Sequence, residues 1–367
     1  MNGQPEDMSD FKFILHPDFK LNGLTFSSTE ELLHFADDLQ NQGEAYEYSV
    51  GSFLEQWVDF EPWIEVSTSG STGIPKRIKL EKSRMINSAE ATGAYFKLGP
   101  GTTALLCLSA DFIAGKMMLV RAMVLGWDLH VVAPEKDALT QYDNAYDFVA
   151  MVPYQLDYSI DALSKVRKLI VGGSPVSQQL LDKIQDAQTE IFATYGMTET
   201  ITHVAVRRLN GFARSDIYTA LPGVQFEADD EGQLIIHAPK ISEEVIRTND
   251  QVDLVSPTSF KWLGRTDSVI NSGGVKIYPE WVEQKLSRFL NNRLIVTSEP
   301  DAALGERLIL VIESQSTELP GLEEALNSLG KFERPKKIYT LSHFPMTPTD
   351  KIRRSDIRQL IHHYGLR

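Results

Sequence analysis

Four short apolar runs constrain this chain more than any other feature. They are residues 104–108 (ALLCL), 129–133 (LHVVA), 148–152 (FVAMV) and 168–171 (KLIV). Each is too short for a stable helix and suits a strand buried on both faces. Residues 115–125 and 178–187 read as helices, the first between two of these runs and the second after the last. Alternation of this kind predicts a largely parallel sheet covered by helices. Ahead of it, residues 28–41 read as a helix with the stripe Leu32, Leu33, Phe35 and Leu39 and a cap at Ser28 or Thr29. Residues 62–66 read as a strand that runs into a loop rich in Ser, Thr and Gly.

The texture changes near residue 217. A hairpin is expected at Asp229–Gly232 and a strand pair around Pro257. Beyond Asp267 a compact α+β region is expected. Its helices lie near 279–290, 320–329 and from 354, and its strands near 293–297 and 307–313. The expected fold class is therefore α/β. A large domain over 1–266 has layered sheets, helices and a β-rich subdomain, and a small mobile α+β domain spans 267–367.

Charge narrows the partners. The chain has 36 basic and 50 acidic residues, a formal charge of −14. That balance argues against nucleic acid. The acid excess sits in residues 1–65, which hold 14 acids against Lys12 and Lys20. Residues 331–358 carry eight basic residues against three acids. No apolar run is long enough to span a membrane, and the polar start MNGQPEDMSD has no apolar signal core. The single cysteine, Cys107, excludes an internal disulfide and fits a reducing cytoplasm.

The strongest local signal is Ser69-Gly70-Ser71-Thr72-Gly73-Ile74-Pro75-Lys76. Small residues let backbone amides approach an anion, hydroxyls donate to it, and a lysine ends the loop, which suits a polyphosphate. The P-loop pattern GxxxxGK[ST] fails, because Lys76 follows Pro75 and precedes Arg77. The loop instead resembles that of the adenylate-forming superfamily of acyl-CoA synthetases, peptide-synthetase adenylation domains and luciferases. Further matches follow in the family's order. Gly172-Gly173-Ser174-Pro175 resembles its GGxP turn and Tyr195-Gly196-Met197-Thr198-Glu199-Thr200 its YGxTE signature. Thr248-Asn249-Asp250 stands where the family has TGD, with Asn249 expected to tolerate a left-handed turn. Gly264-Arg265-Thr266-Asp267 resembles GRxD. Pro348-Thr349-Asp350-Lys351-Ile352-Arg353-Arg354 resembles the closing P-x-T-x-x-G-K-[IV]-x-R. The likeness covers about residues 60–360, and residues 1–60 form an abbreviated, atypical front.

The resemblance implies roles. Tyr195 would cover adenine with Gly173, Ser174, Pro175 and Gly196 beside it, and Thr198 would bond the α-phosphate. Glu199 would hold Mg²⁺, Asp250 the ribose hydroxyls, and Arg265 the ribose or phosphate. Lys351 would be the catalytic lysine. Asp267 would be the hinge that exchanges Lys351 for the thioester loop Gly273, Gly274 and Lys276. ATP, Mg²⁺ and coenzyme A are the implied small molecules, and a homodimer is allowed for.

Residues 109–121 (SADFIAGKMMLVR) and 195–208 (YGMTETITHVAVRR) resemble the short o-succinylbenzoate–CoA ligases of menaquinone biosynthesis. Phe112 stands where many relatives have histidine. An aromatic dicarboxylic acid needs a flat wall and a cation. The candidates are Phe112, Gly115, Lys116, Arg121, Thr202 and His203, with Lys116 or Arg121 as the cation. The competing reading makes Lys116 a surface residue and Arg121 one half of a structural ion pair. Another aryl- or acyl-CoA ligase is the nearest alternative. A silent acyl-adenylate-binding protein is disfavoured by the retained Lys351, Glu199 and Asp250.

Overall fold

The computed structural model describes residues 15–67, 77–316, 318–346 and 352–364. Strands Thr103–Leu106, Asp128–Val131, Tyr146–Met151, Val166–Val171 and Glu190–Gly196 form the parallel heart of a 13-stranded sheet. Successive residues serve opposite faces, as a pleat demands. Ala104, Leu106, Phe148 and Ala150 enter one core, and Leu105, Cys107, Val149 and Met151 the other. Helices Lys82–Phe96 and Ile113–Leu125 cover the first face, and the short helices Pro153–Tyr158 and Gln178–Lys183 the second.

The β-rich stretch continues this same sheet. Strand His203–Arg208 pairs antiparallel to Glu190–Gly196, and Ile217–Ala220, Ser259–Arg265, Ile246–Ser256, Gln233–His237 and Gln225–Ala228 follow outward. The hairpin at Asp229–Gly232 is present, with Gly232 at φ +80°. So is the pair that turns at Pro257. Asn249 departs from expectation. It lies inside strand Ile246–Ser256 and is not among the positive-φ residues, so replacing glycine there needs no left-handed backbone.

The turn Thr266–Ser268 joins this sheet to a five-stranded one made of Ile270–Ser272, Val275–Ile277, Leu294–Asp301, Gly305–Glu313 and Lys337–Leu341. Two apolar clusters pack against that second sheet, and neither contains a described residue before Ile270. Among the described residues no helix is long and apolar enough to cross a membrane.

Helix Ile113–Leu125 carries the acid-pocket candidates Gly115, Lys116 and Arg121. Residues 115–123 are all buried, so it has no polar face. A helix apolar all round is a core helix, yet this one carries Lys116 and Arg121. Its close seat depends on Gly115, where a Cβ would come within 2.2 Å of the Ser109 carbonyl oxygen.

Candidate active site

The motif turns meet at one end of the sheet. Gly172–Pro175 leaves the carboxyl end of Val166–Val171, and Met197–Thr200 leaves the carboxyl end of its parallel neighbour Glu190–Gly196. The helix Ile113–Leu125 starts at the same end, after Thr103–Leu106. The crevice outside the carboxyl ends of parallel strands is where open α/β sheets bind ligands. A groove of about 660 Å³ lies at the opposite end. There Asp147 is already committed to Thr103 and Arg167.

Close packing fixes the turns. A Cβ on Gly172 would meet Thr194 Oγ1 at 2.2 Å, and one on Gly196 would meet the Thr202 carbonyl oxygen at 2.3 Å. Gly173, at φ +88°, needs the left-handed region. Ser174 is half-buried and Pro175 exposed. Thr198 is half-buried and Glu199 points out into solvent.

Asp250 sits behind Tyr195. The Tyr195 hydroxyl donates to its Oδ2 at 2.6 Å, and Trp262 Nε1 donates to its Oδ1 at 3.0 Å. Burial, then the Asp250 carboxylate, push the Tyr195 hydroxyl pKa up, which keeps it a donor. Each Asp250 oxygen retains a second lone pair, enough for two more donors such as a diol. The sequence reading missed Trp262. Its only signal was its place two residues before the Gly264–Asp267 motif.

Arg265 lies opposite Asp250 across the strand pair. Its guanidinium is not free. Nε and Nη2 both donate to Asp267, at 2.9 and 2.6 Å. This fork holds Arg265 above its usual pKa and Asp267 below the usual carboxylate range. Gly273 and Gly274, at φ +57° and +81°, form the two-residue turn of a hairpin, a geometry that needs positive φ at both positions. Lys276 beside it is exposed.

Two proposed loops lie outside the described residues, but their ends are fixed. Ser69, Gly70, Ser71, Thr72, Gly73 and Lys76 fall between Ser67 and Arg77, which pair across a hairpin. Lys351 falls between Met346 and Ile352, which form a bridge. The Arg353 amide also donates to the Pro345 carbonyl at 2.9 Å.

The acid-pocket candidates divide. Phe112 is exposed at the helix N-terminus, and Gly115 has the packing role given above. Arg121, Thr202 and His203 come together. Arg121 is 2% exposed. Its Nε donates to Thr92 Oγ1 and its Nη2 to Thr202 Oγ1, both at 3.3 Å. Among the described residues no carboxylate pairs with it. Burial lowers its pKa to about 9, which leaves it charged at neutral pH. Lys116 is 7% exposed, with Nζ 4.9 Å from the Phe53 ring centre, and burial lowers its pKa. Lys116 is thus no surface residue, and Arg121 is no half of an ion pair among the described residues.

A strained turn delivers Thr202 and His203. Ile201 has φ +64° and ψ −60°, and the Thr202 amide donates to the Thr200 carbonyl at 2.7 Å. This is a γ-turn of the strained hand, and its central residue is β-branched. Such strain costs about 1–3 kcal/mol and collects at functional sites. Nothing in the sequence signals it.

Known proteins place this arrangement. The AMP-binding enzyme family model matches residues 66–241. A solved structure from Dyadobacter fermentans is described as an acyl-CoA synthetase (AMP-forming)/AMP-acid ligase II-like protein. It is 37% identical over 89% of this chain and 97% of its own, with TM-score 0.60. The 2-succinylbenzoate–CoA ligase of Enterococcus faecalis is 24% identical over 78% of this chain and 67% of its own length. The o-succinylbenzoate coenzyme A synthetase of Bacillus subtilis, solved with ATP and magnesium, has the same fold. It is 18% identical, with TM-score 0.68, over 90% of this chain and 82% of its own. The chain belongs to the AMP-binding enzyme family, as an AMP-forming acyl-CoA ligase.

Proposed function

We propose that this ligase activates o-succinylbenzoate with ATP as an acyl-adenylate and passes the acyl group to coenzyme A, the step that serves menaquinone biosynthesis. One observation carries the choice of acid. Arg121 is charged, buried and without a carboxylate among the described residues, at the end of the sheet where the motif turns meet. A buried unpaired charge is costly and persists where a ligand supplies the counter-charge. A second carboxylate on the acid does so. The names of the curated relatives point to the same acid.

In the first half-reaction the acid carboxylate attacks the α-phosphorus of ATP, and the bond to pyrophosphate breaks. Asp250 takes the ribose hydroxyls on its free lone pairs. The 69–76 loop holds the pyrophosphate, and Thr198 donates to the α-phosphate. Lys351 neutralises charge between the carboxylate and phosphoryl oxygens. Among the described residues no three His, Cys, Asp or Glu side chains cluster to hold a metal. A lone exposed carboxylate, Glu199, nevertheless fits Mg²⁺, which takes its other ligands from phosphate and water. Bound there, Mg²⁺ would offset charge on the leaving pyrophosphate. In the second half-reaction the thiol displaces AMP. Rotation about Asp267 withdraws Lys351 and brings in Gly273, Gly274 and Lys276.

ATP–pyrophosphate exchange across a panel of carboxylic acids tests the reading. Exchange with o-succinylbenzoate above all aryl monoacids is expected. Brisk exchange with monoacids and none with o-succinylbenzoate would overturn it.

A further inference from the structure

We infer that Glu280 is a positioning residue for the turn Thr266–Ser268. In this arrangement its side chain is a neutral carboxylic acid that donates to Ser268, and Ser268 passes its own hydrogen to the Arg265 carbonyl and so pins the turn. The link from this turn to catalysis rests on the rotation about Asp267 proposed above, but the relay itself does not.

Ser268 has one hydroxyl hydrogen and two close acceptors. Its Oγ lies 3.0 Å from the Arg265 carbonyl oxygen and 2.7 Å from Glu280 Oε1. With Glu280 ionised, both neighbours only accept, and one of the two contacts would hold no hydrogen. A proton on Oε1 satisfies both. Glu280 then donates to Ser268, and Ser268 donates to the carbonyl.

The other carboxyl oxygen agrees. Oε2 is buried and, among the described residues, has no hydrogen-bond partner. It lies against Gly264, where a Cβ would stand 3.3 Å from it. A neutral carbonyl oxygen left there costs far less than the charge of a carboxylate. The two nearby cations are committed elsewhere. Arg354, from helix Arg354–Tyr364, is forked onto Glu283 at 2.7 and 2.5 Å, and Arg265 is forked onto Asp267. Burial, the largest influence, lifts the Glu280 pKa above its usual value, with Glu283 acting in the same sense and Arg354 against.

The relay spans the joint between the two larger sheets. Arg265 ends strand Ser259–Arg265 of the first, and Glu280 stands in the first turn of helix Pro279–Leu286, which packs on the five-stranded sheet. Ionisation reverses it. The Ser268 hydrogen swings to the carboxylate, and the Arg265 carbonyl loses that donor. The turn is thus pinned at low pH and released as pH rises through the Glu280 pKa.

Three measurements on the full chain test this. In carbon-13 spectra of the glutamate carboxyls, the Glu280 signal is assigned by its loss in Glu280→Gln. It is expected to titrate above the ordinary value of about 4.3. A midpoint at or below that value would overturn the inference. Second, trypsin cleavage after Arg265 reads how often the turn opens. Glu280→Gln keeps a donor for Ser268 and cannot ionise. The cleavage rate of the parent over that of this variant, followed from pH 5 to pH 8, is expected to rise about fivefold, the worth of one hydrogen bond, with the midpoint of the carboxyl. A flat ratio would overturn the positioning role. Neither measurement involves a substrate. Third, single-turnover rates of the two half-reactions are compared above that midpoint. The ratio of thioester to adenylate formation is expected to be about fivefold lower in Glu280→Gln than in the parent. If the first two results hold while this ratio is unchanged, the fault lies with the rotation about Asp267 and not with the relay.

Discussion

At the scale of single residues, the chain sacrifices stability at Arg121, and this can be measured. Arg121→Met keeps the volume and removes a desolvated charge. No buried group is stranded, because Thr92 Oγ1 still donates to the Ser88 carbonyl and the Thr202 hydroxyl still reaches His203. Replacing buried charge by apolar volume is neutral or stabilising by about 1–4 kcal/mol. The variant should therefore unfold at higher urea than the parent while KM for o-succinylbenzoate rises at least about tenfold. Lower stability with unchanged KM would show Arg121 to be structural. His203 adds a pH signature. Its folded pKa is depressed by burial and by Arg121, so the unfolded chain binds the extra proton first. The stability it contributes is complete above the unfolded value of about 6.5 and is lost as pH falls below it. In His203→Gln the loss of urea stability between pH 7 and pH 5 should be smaller than in the parent. The sequence named Arg121, Thr202 and His203 through the stretches 109–121 and 195–208, which resemble o-succinylbenzoate–CoA ligases. It was silent on their contacts, which depend on a strained turn and on the missing counter-charge.

At the scale of elements, the proposed acid site depends on how closely helix Ile113–Leu125 is seated. Gly115→Ala would press a methyl group into the Ser109 carbonyl, which is backbone and cannot yield cheaply. The helix must tilt or rise and carry Lys116 and Arg121 with it. We expect a stability loss of about 1–3 kcal/mol, the range for overpacking. KM for the acid should rise more than KM for ATP, and titrating each substrate in turn checks this. A substrate contact at Gly115 would instead change KM without changing the urea midpoint. Some elements were legible in the sequence and others were passed over. The strands of the parallel core were legible as apolar runs, and helix Thr29–Gln42 from its stripe and its Ser28 cap. Helices Ala45–Val58 and Lys82–Phe96 were not read. Ala45–Val58 buries Val50, Phe53, Leu54 and Trp57, a stripe that the reading passed over, whereas the buried face of Lys82–Phe96 is mostly small or polar, with Ser88, Ala89, Thr92 and Gly93. Gly51 lets the first approach the Ala36 carbonyl, and Gly93 lets the second approach Leu125. Strand Lys337–Leu341 was also missed, because two of its five residues are exposed and its pattern is weak.

At the scale of the whole molecule, the question is how one crevice serves two reactions. The turn Thr266–Ser268 is the chain's passage between its two larger sheets. Arg265 and Asp267 are locked to each other there by two hydrogen bonds. A fork of this kind holds one geometry, and releasing it to a phosphate or ribose oxygen frees the turn. If the turn acts as the proposed hinge, the two chemistries should separate when the lysine beyond it is removed. Lys351→Ala should reduce acyl-adenylate formation by about a hundredfold or more, the scale for losing one charge-stabilising group in a transition state. Thioester formation from supplied acyl-adenylate and coenzyme A should remain near the parent rate, because the proposed rotation withdraws Lys351 in that step. The bridge between Met346 and Ile352 does not involve the changed residue and should survive. Single-turnover measurement of each half-reaction gives the answer. Equal loss in both would mean that Lys351 serves a single fixed active site and that the turn at Asp267 does not exchange the two loops.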